Sequence, residues 1–553
     1  MSKGILIFWV VLFATNVSAL ARVTTAQQAE RVVEAWLKAE ARPLDTVLGK
    51  QVLESHTFTN KDGESIYHVV YLVPSGFVIV SADNLVEPIV GVADDGHYDC
   101  SAENAFGALV SNDLSGRIAA VRVVSRGRRE PEMKRIRDAV TKWSYLLTLA
   151  EAATDAVPLT GLGSISDVRV GPLVQSRWGQ RTVCGSNCYN YYTPNNYPSG
   201  CVATAMAQLM RYHQYPIVGI GVSEHMIEVD GSWQVAYTRG GGAGEPYEWS
   251  QMPLAPDCST SASGLQAIGA LCYDAGIAAV TSYSSEDSSA SFASAKVALK
   301  TTFTYGNAVF GYDSGGGDWE GMINPNLDYG NPVIVGITRP GGGHAVLCDG
   351  YGYSLSTPYH HINMGWDGVD DAWYNLPDIN STPAYTSING LIYNIHVSLE
   401  GDGELISGRV LDTGGEPIPG AVVYVELDGA LVSEVETNGK GIYAFNCLDS
   451  NTTYTIGAAA EGYAFSRRSV TTGESRDYSS KTGNVWGVDL HACAFRGDLT
   501  ADGSVDARDM SKLAQYWLQD AECLDVSPQP YGDGVVDFQD FAFMAAYWLG
   551  GGK

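Results

Sequence analysis

The chain has 553 residues, with 34 Lys or Arg against 62 Asp or Glu, for a formal net charge of −28 at pH 7. That imbalance repels phosphate, which excludes nucleic acid as a natural partner and favours solubility after export. The length calls for several domains, and ten cysteines spread along it are too sparse for a disulfide framework.

At the N-terminus Lys3 precedes the apolar run Ile5 to Ala14, and Ala19-Leu20-Ala21 supplies small residues for cleavage after Ala19 or Ala21. A membrane anchor is the alternative, but the run is short and no second apolar span of membrane length follows. An exported chain with no transmembrane anchor after signal cleavage is expected, secreted, extracellular or held at a cell surface. Thr25 to Leu37 then reads as an amphipathic helix, and Tyr67 to Leu72 with Gly76 to Asp83 as paired strands of a small α+β unit. Residues 101 to 160 read as polar and helical, with a basic cluster at Arg126, Arg128, Arg129, Lys134, Arg135 and Arg137. A solvated helix face accounts for the cluster; the alternative is a processing segment, cut between Arg126 and Gly171.

Export permits disulfides, and Cys184 with Cys188, or Cys258 with Cys272, are candidate pairs that spacing leaves open. A zinc site on Cys184 and Cys188 lacks a histidine or second cysteine pair at ligand spacing.

After Cys201, apolar residues fall at Val202, Ala205, Met206, Leu209 and Met210, the stripe of a buried helix. Cys201 therefore opens a helix, where unpaired N–H groups and the positive dipole end favour a thiolate. His344 follows 143 residues later, within the separation of papain-type cysteine and histidine pairs. Gly341-Gly342-Gly343 before it would let a substrate backbone approach, and Ala345 to Cys348 reads as a buried strand that would fix the imidazole. His213 stands at the far end of the Cys201 helix, and His360 and His361 follow no glycine run, so these three are expected to pack or face solvent.

Beyond residue 400, Leu405–Leu411, Ala421–Leu427 and Gly441–Phe445 are short alternating strands between Gly, Pro and Asn turns, the spacing of a β-sandwich. The last sixty residues repeat with a period of 31, Ala514-Gln515-Tyr516-Trp517-Leu518 answering Ala545-Ala546-Tyr547-Trp548-Leu549. Asp498, Thr500, Asp502, Asp506 and Asp509 stand at positions 1, 3, 5, 9 and 12 of a loop, with Gly503 at 6 and the Ser504 carbonyl at 7. Oxygen donors at this spacing suit Ca²⁺. The second copy keeps Asp533, Gly534, Val535, Asp537 and Asp540 but lacks its first ligands in register; Asp525 serves only if Ser527 to Tyr531 bulges.

Ser199 to Ala205, with Met210-Arg211-Tyr212-His213-Gln214-Tyr215-Pro216, resembles the nucleophile helix of the streptopain-like cysteine peptidases. Gly342-Gly343-His344-Ala345, Asp349-Gly350 and His361-Ile362-Asn363-Met364-Gly365-Trp366 are similar to that family's histidine and asparagine segments. The resemblance implies a papain-like α+β catalytic domain in which Cys201 is the nucleophile, His344 the general base and acid, and Asn363 the residue orienting the imidazole. Gln180, in Trp178-Gly179-Gln180, would share an oxyanion hole with the Cys201 N–H. The family commonly has tryptophan where Met364 stands, so a thinner aromatic shield over the histidine is expected. Gly76 to Asp83 with Val86 to Gly91 resembles the inhibitory prosegment of the same family, which implies a zymogen. Gly408-Arg409-Val410, Pro417 to Ala421 and Thr437-Asn438-Gly439 resemble a carboxypeptidase-regulatory-like spacer. The terminal repeat resembles a type I dockerin, a calcium-folded helix pair that docks onto a cohesin.

The expected organisation is a signal peptide (1–21), an α+β prosegment (22–165), a papain-like peptidase (166–400), a β-sandwich (401–492) and a small all-α dockerin (493–553). The expected activity is thiol endopeptidase action on protein or peptide substrates, with Ca²⁺ in the dockerin loops and no cofactor for catalysis. Acyl transfer by the same residues, or a non-catalytic scaffold role, are the alternatives.

Overall fold

The computed structural model describes residues 23–101, 104–127, 130–151, 166–312, 317–339, 342–376, 388–397, 402–495, 499–500, 504–519, 524, 527, 535–546 and 548. The signal-peptide reading and the ligands Asp498, Asp502 and Asp533 lie outside them.

The N-terminal unit begins with α1 (Ala26–Ala39), started by a capping box between Thr25 and Gln28. Its Ala29, Val32, Val33 and Trp36, at i, i+3, i+4 and i+7, are buried against a meander of β1 (Gln51–Thr59), β2 (Ser65–Val73), β3 (Phe77–Ser81) and β4 (Ile89–Ala93). Two helices follow, α2 (Ala105–Gly127) and α3 (Glu130–Glu151). They are less solvated than their polarity predicts: Phe106, Leu109, Leu114 and Ile118 of α2 and Trp143 and Leu146 of α3 are buried. Lys134, Arg135 and Arg137 remain exposed.

The central region holds β5 (Ser166–Val170), a hairpin of β6 (Thr182–Val183) and β7 (Ser186–Asn187), α4 (Cys201–His213), β8 (Glu224–Val229), β9 (Ser232–Tyr237), α5 (Ala262–Ala278), β10 (Ser282–Tyr283), α6 (Phe292–Thr301), β11 (Asn307–Tyr312) and α7 (Trp319–Tyr329). It continues through β12 (Val333–Arg339), β13 (Gly342–Ser354), β14 (Thr357–Asn363), β15 (Ala372–Tyr374) and β16 (Ile388–His396). Helices α4, α5 and α6 share one core, and α4 packs directly on β13. Among the described residues the sheet has the order β1-β2-β3-β4-β15-β14-β13-β12-β16-β11, with β5 also on β13. The N-terminal unit and the central region thus share one sheet, joined where Val92 and Gly91 pair with Trp373 and Tyr374.

Neither disulfide pairing suggested by proximity in sequence forms; Cys184 is bonded to Cys258, 74 positions further along the chain, with a Cα–Cα distance of 5.3 Å. Cys188 and Cys272 are buried free thiols packed in the helical core. Cys184 is thereby removed from any zinc set. Closing so long a loop restricts the unfolded chain, so Cys184→Ser is expected to cost about 2–4 kcal/mol, read as a lower denaturation midpoint. An unchanged midpoint would show that the bridge does not constrain the unfolded chain.

Residues 404–495 form two four-stranded sheets, β17 (Glu404–Leu411), β20 (Ile442–Leu448), β22 (Tyr463–Phe465) and β24 (Leu490–Phe495) against β18 (Val422–Leu427), β19 (Ala430–Glu436), β21 (Thr453–Ala459) and β23 (Arg468–Thr471). The module is docked on its neighbour, which a free spacer would not be. Tyr478 N–H donates to Phe310 O and Tyr312 N–H to Ser479 O, extending the β11 edge, and Lys296 pairs with Asp477 at 2.6 Å.

Beneath this contact Asp328 of α7 accepts from Tyr351 Oη and Ser407 Oγ, each at 2.7 Å. Burial pushes its carboxyl up to about 7, against the pull of those two hydroxyls. A folded value above the unfolded one means that the unfolded chain loses its proton first as pH rises. Stability relative to Asp328→Asn should therefore fall between about pH 4 and 7, by up to a few kcal/mol, and level off above. Paired melts of wild type and variant across that range check this; a pH-independent difference would refute it.

Two short helices close the chain, α8 (Ala507–Gln515) and α9 (Phe538–Ala545), capped by Asp506 and Asp537 in matching capping boxes. Asp509 and Asp540, both fully buried, occupy equivalent places. Asp509 Oδ1 accepts from Thr500 N–H and Asp540 Oδ1 from Ser527 N–H, both at 2.8 Å. Ser527, not Tyr531, thus takes the place of Thr500: the period is 31 in the helices and 27 at the loop entry. Asp525 and residues 528–534, where the first ligands of the second loop were sought, lie outside the described residues.

Candidate active site

Cys201 is the first residue of α4, after Gly200 at φ 90°, ψ 149°, and no side chain caps this helix end. The conformation is one that only glycine adopts without strain, and a Cβ there would lie 2.6 Å from the Ser288 carbonyl oxygen. The stripe Val202, Ala205, Met206, Leu209 and Met210 is buried as its spacing predicts, and Cys201 itself is half-buried. A helix N-terminus is a favourable place for a negative charge.

His344 lies near the start of β13, opposite Ile337 of β12, and is buried. Its Nε2–H donates to the Met364 carbonyl oxygen at 2.8 Å, a bond that leaves Nδ1 as the basic nitrogen of the neutral ring. The Trp366 ring stands 4.8 Å from the imidazole, tilted by 35°. Methionine at 364 therefore does not leave the histidine uncovered, because the shield comes from two residues on while residue 364 supplies a backbone carbonyl.

The hydrogen bonds of the Asn363 side chain go elsewhere. Its Nδ2 donates to Ser176 O (3.0 Å), and its Oδ1 accepts from Gln208 Nε2 (2.9 Å) and Gly365 N–H (3.0 Å). Asn363 thus braces the turn on either side of Met364, in place of the direct bond to the imidazole expected from sequence. Met364 N–H is in turn held by Asp371 Oδ1 at 2.7 Å. Burial raises the Asp371 carboxyl to about 6, against the attraction of nearby His361.

Gln180 is joined to the nucleophile segment through its backbone, its carbonyl accepting from Ser199 N–H at 2.9 Å. Thr204 Oγ1, one turn past Cys201, donates to the Gly179 carbonyl. On the far side Gly179 faces Asp367, whose Oδ2 would lie 2.5 Å from an added Cβ. The Gln180 loop is thus clamped between α4 and the turn after Trp366.

The other histidines have structural settings. His213 bonds Tyr305 Oη and burial holds its pKa down to about 4; His360 bonds Asn324 and is likewise held down to about 4 by burial. His361 is bonded to Asp349 at 2.6 Å. Burial opposes its charge, but the Asp349 carboxylate prevails and raises its pKa.

Sequence reading missed Gln208, Asp371 and the Met364 carbonyl. Polar residues at i+3 and i+7 from Cys201, inside an otherwise apolar helix, were the available signal for Gln208.

Among the described residues no group of three or more His, Cys, Asp or Glu side chains is placed to hold a metal. In the terminal repeat, burial opposes ionisation of Asp509, but N–H donors from Asp506 and Thr500 bring its carboxyl below the ordinary value.

Residues 178–374 match the Peptidase C10 family model. This stretch is a C10-family cysteine peptidase domain. Residues 21–112, N-terminal to the C10 domain, match the Spi protease inhibitor model, and residues 405–480 the Carboxypeptidase regulatory-like domain model. The chain is 26% identical over 345 residues to streptopain of Streptococcus pyogenes serotype M1, covering 58% of this chain and 75% of the relative. It is 27% identical over 315 residues to the thiol protease/hemagglutinin PrtT of Porphyromonas gingivalis, covering 55% of this chain and 33% of that protein. Prevotella intermedia prointerpain A, as a solved fragment, superposes with a TM-score of 0.44 at 20% identity, over 62% of this chain and 98% of the fragment. The family-model matches make the chain a cysteine peptidase with an N-terminal unit similar to the Spi protease inhibitor and a C-terminal β-rich region. Among the described residues no helix is long and apolar enough to cross a membrane.

Proposed function

We propose that the chain is an exported endopeptidase zymogen in which Cys201 attacks the scissile carbonyl and His344 Nδ1 takes the thiol proton, later passing it to the leaving amine. The observation that carries this is the His344 Nε2–H bond to Met364 O, together with a cysteine that opens an uncapped helix packed on the strand carrying His344. The Cys201 N–H and the Gln180 amide would stabilise the tetrahedral oxyanion, Asn363 would hold the Met364 turn, and water would resolve the acyl-enzyme.

Latency is supported by how the N-terminal unit grips β15. Besides the β4–β15 pairing, Tyr374 Oη donates to Asp113, Arg117 bonds both the side chain and the carbonyl of Asn375, and Lys142 bridges Glu87 and Thr357. The first of these contacts on β15, at Trp373, lies two residues after Asp371, which holds the Met364 turn.

For the terminal repeat we propose calcium-dependent docking onto a cohesin-type module. Carboxylate, hydroxyl and carbonyl oxygens form a hard donor set that fits Ca²⁺. Asp498, Thr500, Asp502, Ser504, Asp506 and Asp509 would serve the first loop, and Asp533, Val535, Asp537 and Asp540 the second, with Asp525 and Ser527 entering through the four-residue insertion. Calcium added to the EDTA-treated chain is expected to protect residues 498–549 from proteolysis; indifference to calcium would remove this reading.

The enzymatic reading is tested by incubating the full chain in reducing buffer with casein, recording intact mass over time, and mapping iodoacetamide labelling by peptide mass. The expected course is shortening of the chain, a gain of casein hydrolysis, and alkylation of Cys201 ahead of the other thiols. A folded chain whose Cys201 is alkylated but which cuts neither itself nor casein would move acyl transfer or a scaffold role ahead.

A further inference from the structure

Helix α4 carries a second stripe besides its apolar one. Cys201, Thr204 and Gln208 lie at i, i+3 and i+7, and Thr204 and Gln208 are both buried. Gln208 sits about 10 Å along the axis from Cys201, yet its amide reaches both other segments of the site. Its Oε1 accepts from Ser176 Oγ (2.9 Å) and Trp178 N–H (3.2 Å), and its Nε2 donates to Asn363 Oδ1 (2.9 Å). The amide orientation is fixed without ambiguity: Trp178 N–H and Gly365 N–H can only donate, so the atoms facing them are oxygens.

We propose that Gln208 is a positioning residue for peptide hydrolysis, holding the Gln180 loop and the Met364 turn in register with Cys201. The inference rests on the reading of Cys201 and His344 given above. On one side the bond to Trp178 N–H fixes the loop two residues before Gln180. On the other, the bond to Asn363 fixes the residue before the carbonyl that holds the imidazole. The thiol lies on α4, the Gln180 amide in the loop before it and the acceptor for the imidazole in the Met364 turn, and Gln208 bonds the two segments that do not share its helix. A leucine of similar volume would fill the same space and keep the helix, but would release both. Misplacement on the ångström scale at a reacting centre lowers turnover by about 10²-fold.

The test compares wild type, Gln208→Leu, Gln208→Glu and Cys201→Ala as full chains, processed by trace tagged wild-type enzyme that is then removed. Turnover of a fluorogenic peptide and the folded fraction by circular dichroism are read for each, and the pH profile of Cys201 alkylation by iodoacetamide for those that keep the thiol. Gln208→Leu is expected to lower kcat about 10²-fold with KM nearly unchanged, and to move the alkylation profile toward that of an ordinary thiol near pH 8.5. Gln208→Glu keeps the acceptors for Ser176 and Trp178 and is expected to recover part of both. Wild-type kcat and profile in Gln208→Leu, or a loss matching the unfolded fraction alone, would overturn the proposal; should Gln208→Leu fail to fold, an unshifted profile in Gln208→Glu would do so. Near wild-type hydrolysis by Cys201→Ala would instead overturn the nucleophile assignment, a result separable from any failure at Gln208.

Discussion

Cys201→Ala and His344→Ala are each expected to lower kcat/KM on a peptide by about 10⁴-fold or more, and the double variant to be scarcely worse than either single one. The thiolate and its base act as one unit: without the base the thiol is a poor nucleophile, and without the thiol the base has nothing to activate. The residual rate should come from substrate binding and the oxyanion donors. The fold should survive both changes, because Cys201 is half-buried and small and the Met364 turn keeps its bonds to Asp371 and Asn363. Steady-state kinetics with the folded fraction measured in parallel checks the pair. Losses that multiply in the double variant would show two independent contributions and contradict a nucleophile and base pair.

Gly200→Ala is expected to be the most damaging substitution of a residue that takes no part in the chemistry. At φ 90° the alanine meets backbone strain of about 1–3 kcal/mol, and its Cβ would stand 2.6 Å from the Ser288 carbonyl oxygen. Relief requires moving either the Ser288 segment or the first turn of α4, which carries Cys201. We expect activity to fall about 10²-fold or more, Cys201 alkylation to slow, and the melting temperature to drop. Gly185→Ala is the control: φ is +79° there, and no atom lies within 4 Å of the added Cβ, so strain acts without collision and activity should be kept. Equal losses in the two variants would assign the effect to strain and not to the seat of the nucleophile.

The helix opened by Cys201, the strand carrying His344, the paired strands of the N-terminal unit and the terminal repeat were all readable from spacing. In each, residue types recur along a single segment at the spacing of the element or of the repeat, so its period is written in residue order. Residue types also located the thiol and imidazole, since no other side chains supply that chemistry. Sequence order determined less wherever the partner lies in another segment. The acceptor for His344 is the carbonyl of Met364, and a carbonyl is common to every residue, so side-chain identity carries no trace of it. The family resemblance assigned Asn363 to the imidazole, but its amide is taken by Ser176, Gln208 and Gly365. Cys184 pairs with Cys258 and not with the nearer Cys188, because bridging depends on Cα separation in space. Ser527 replaces Tyr531 as the partner of Asp540, because an insertion leaves the helical period intact while shifting the loop before it. The sequence by itself thus determined which elements form and which residues carry the reactive groups. Tertiary structure alone decided which backbone and side-chain partners hold those groups, because hydrogen bonds and disulfides join atoms by distance and direction, which residue order does not record.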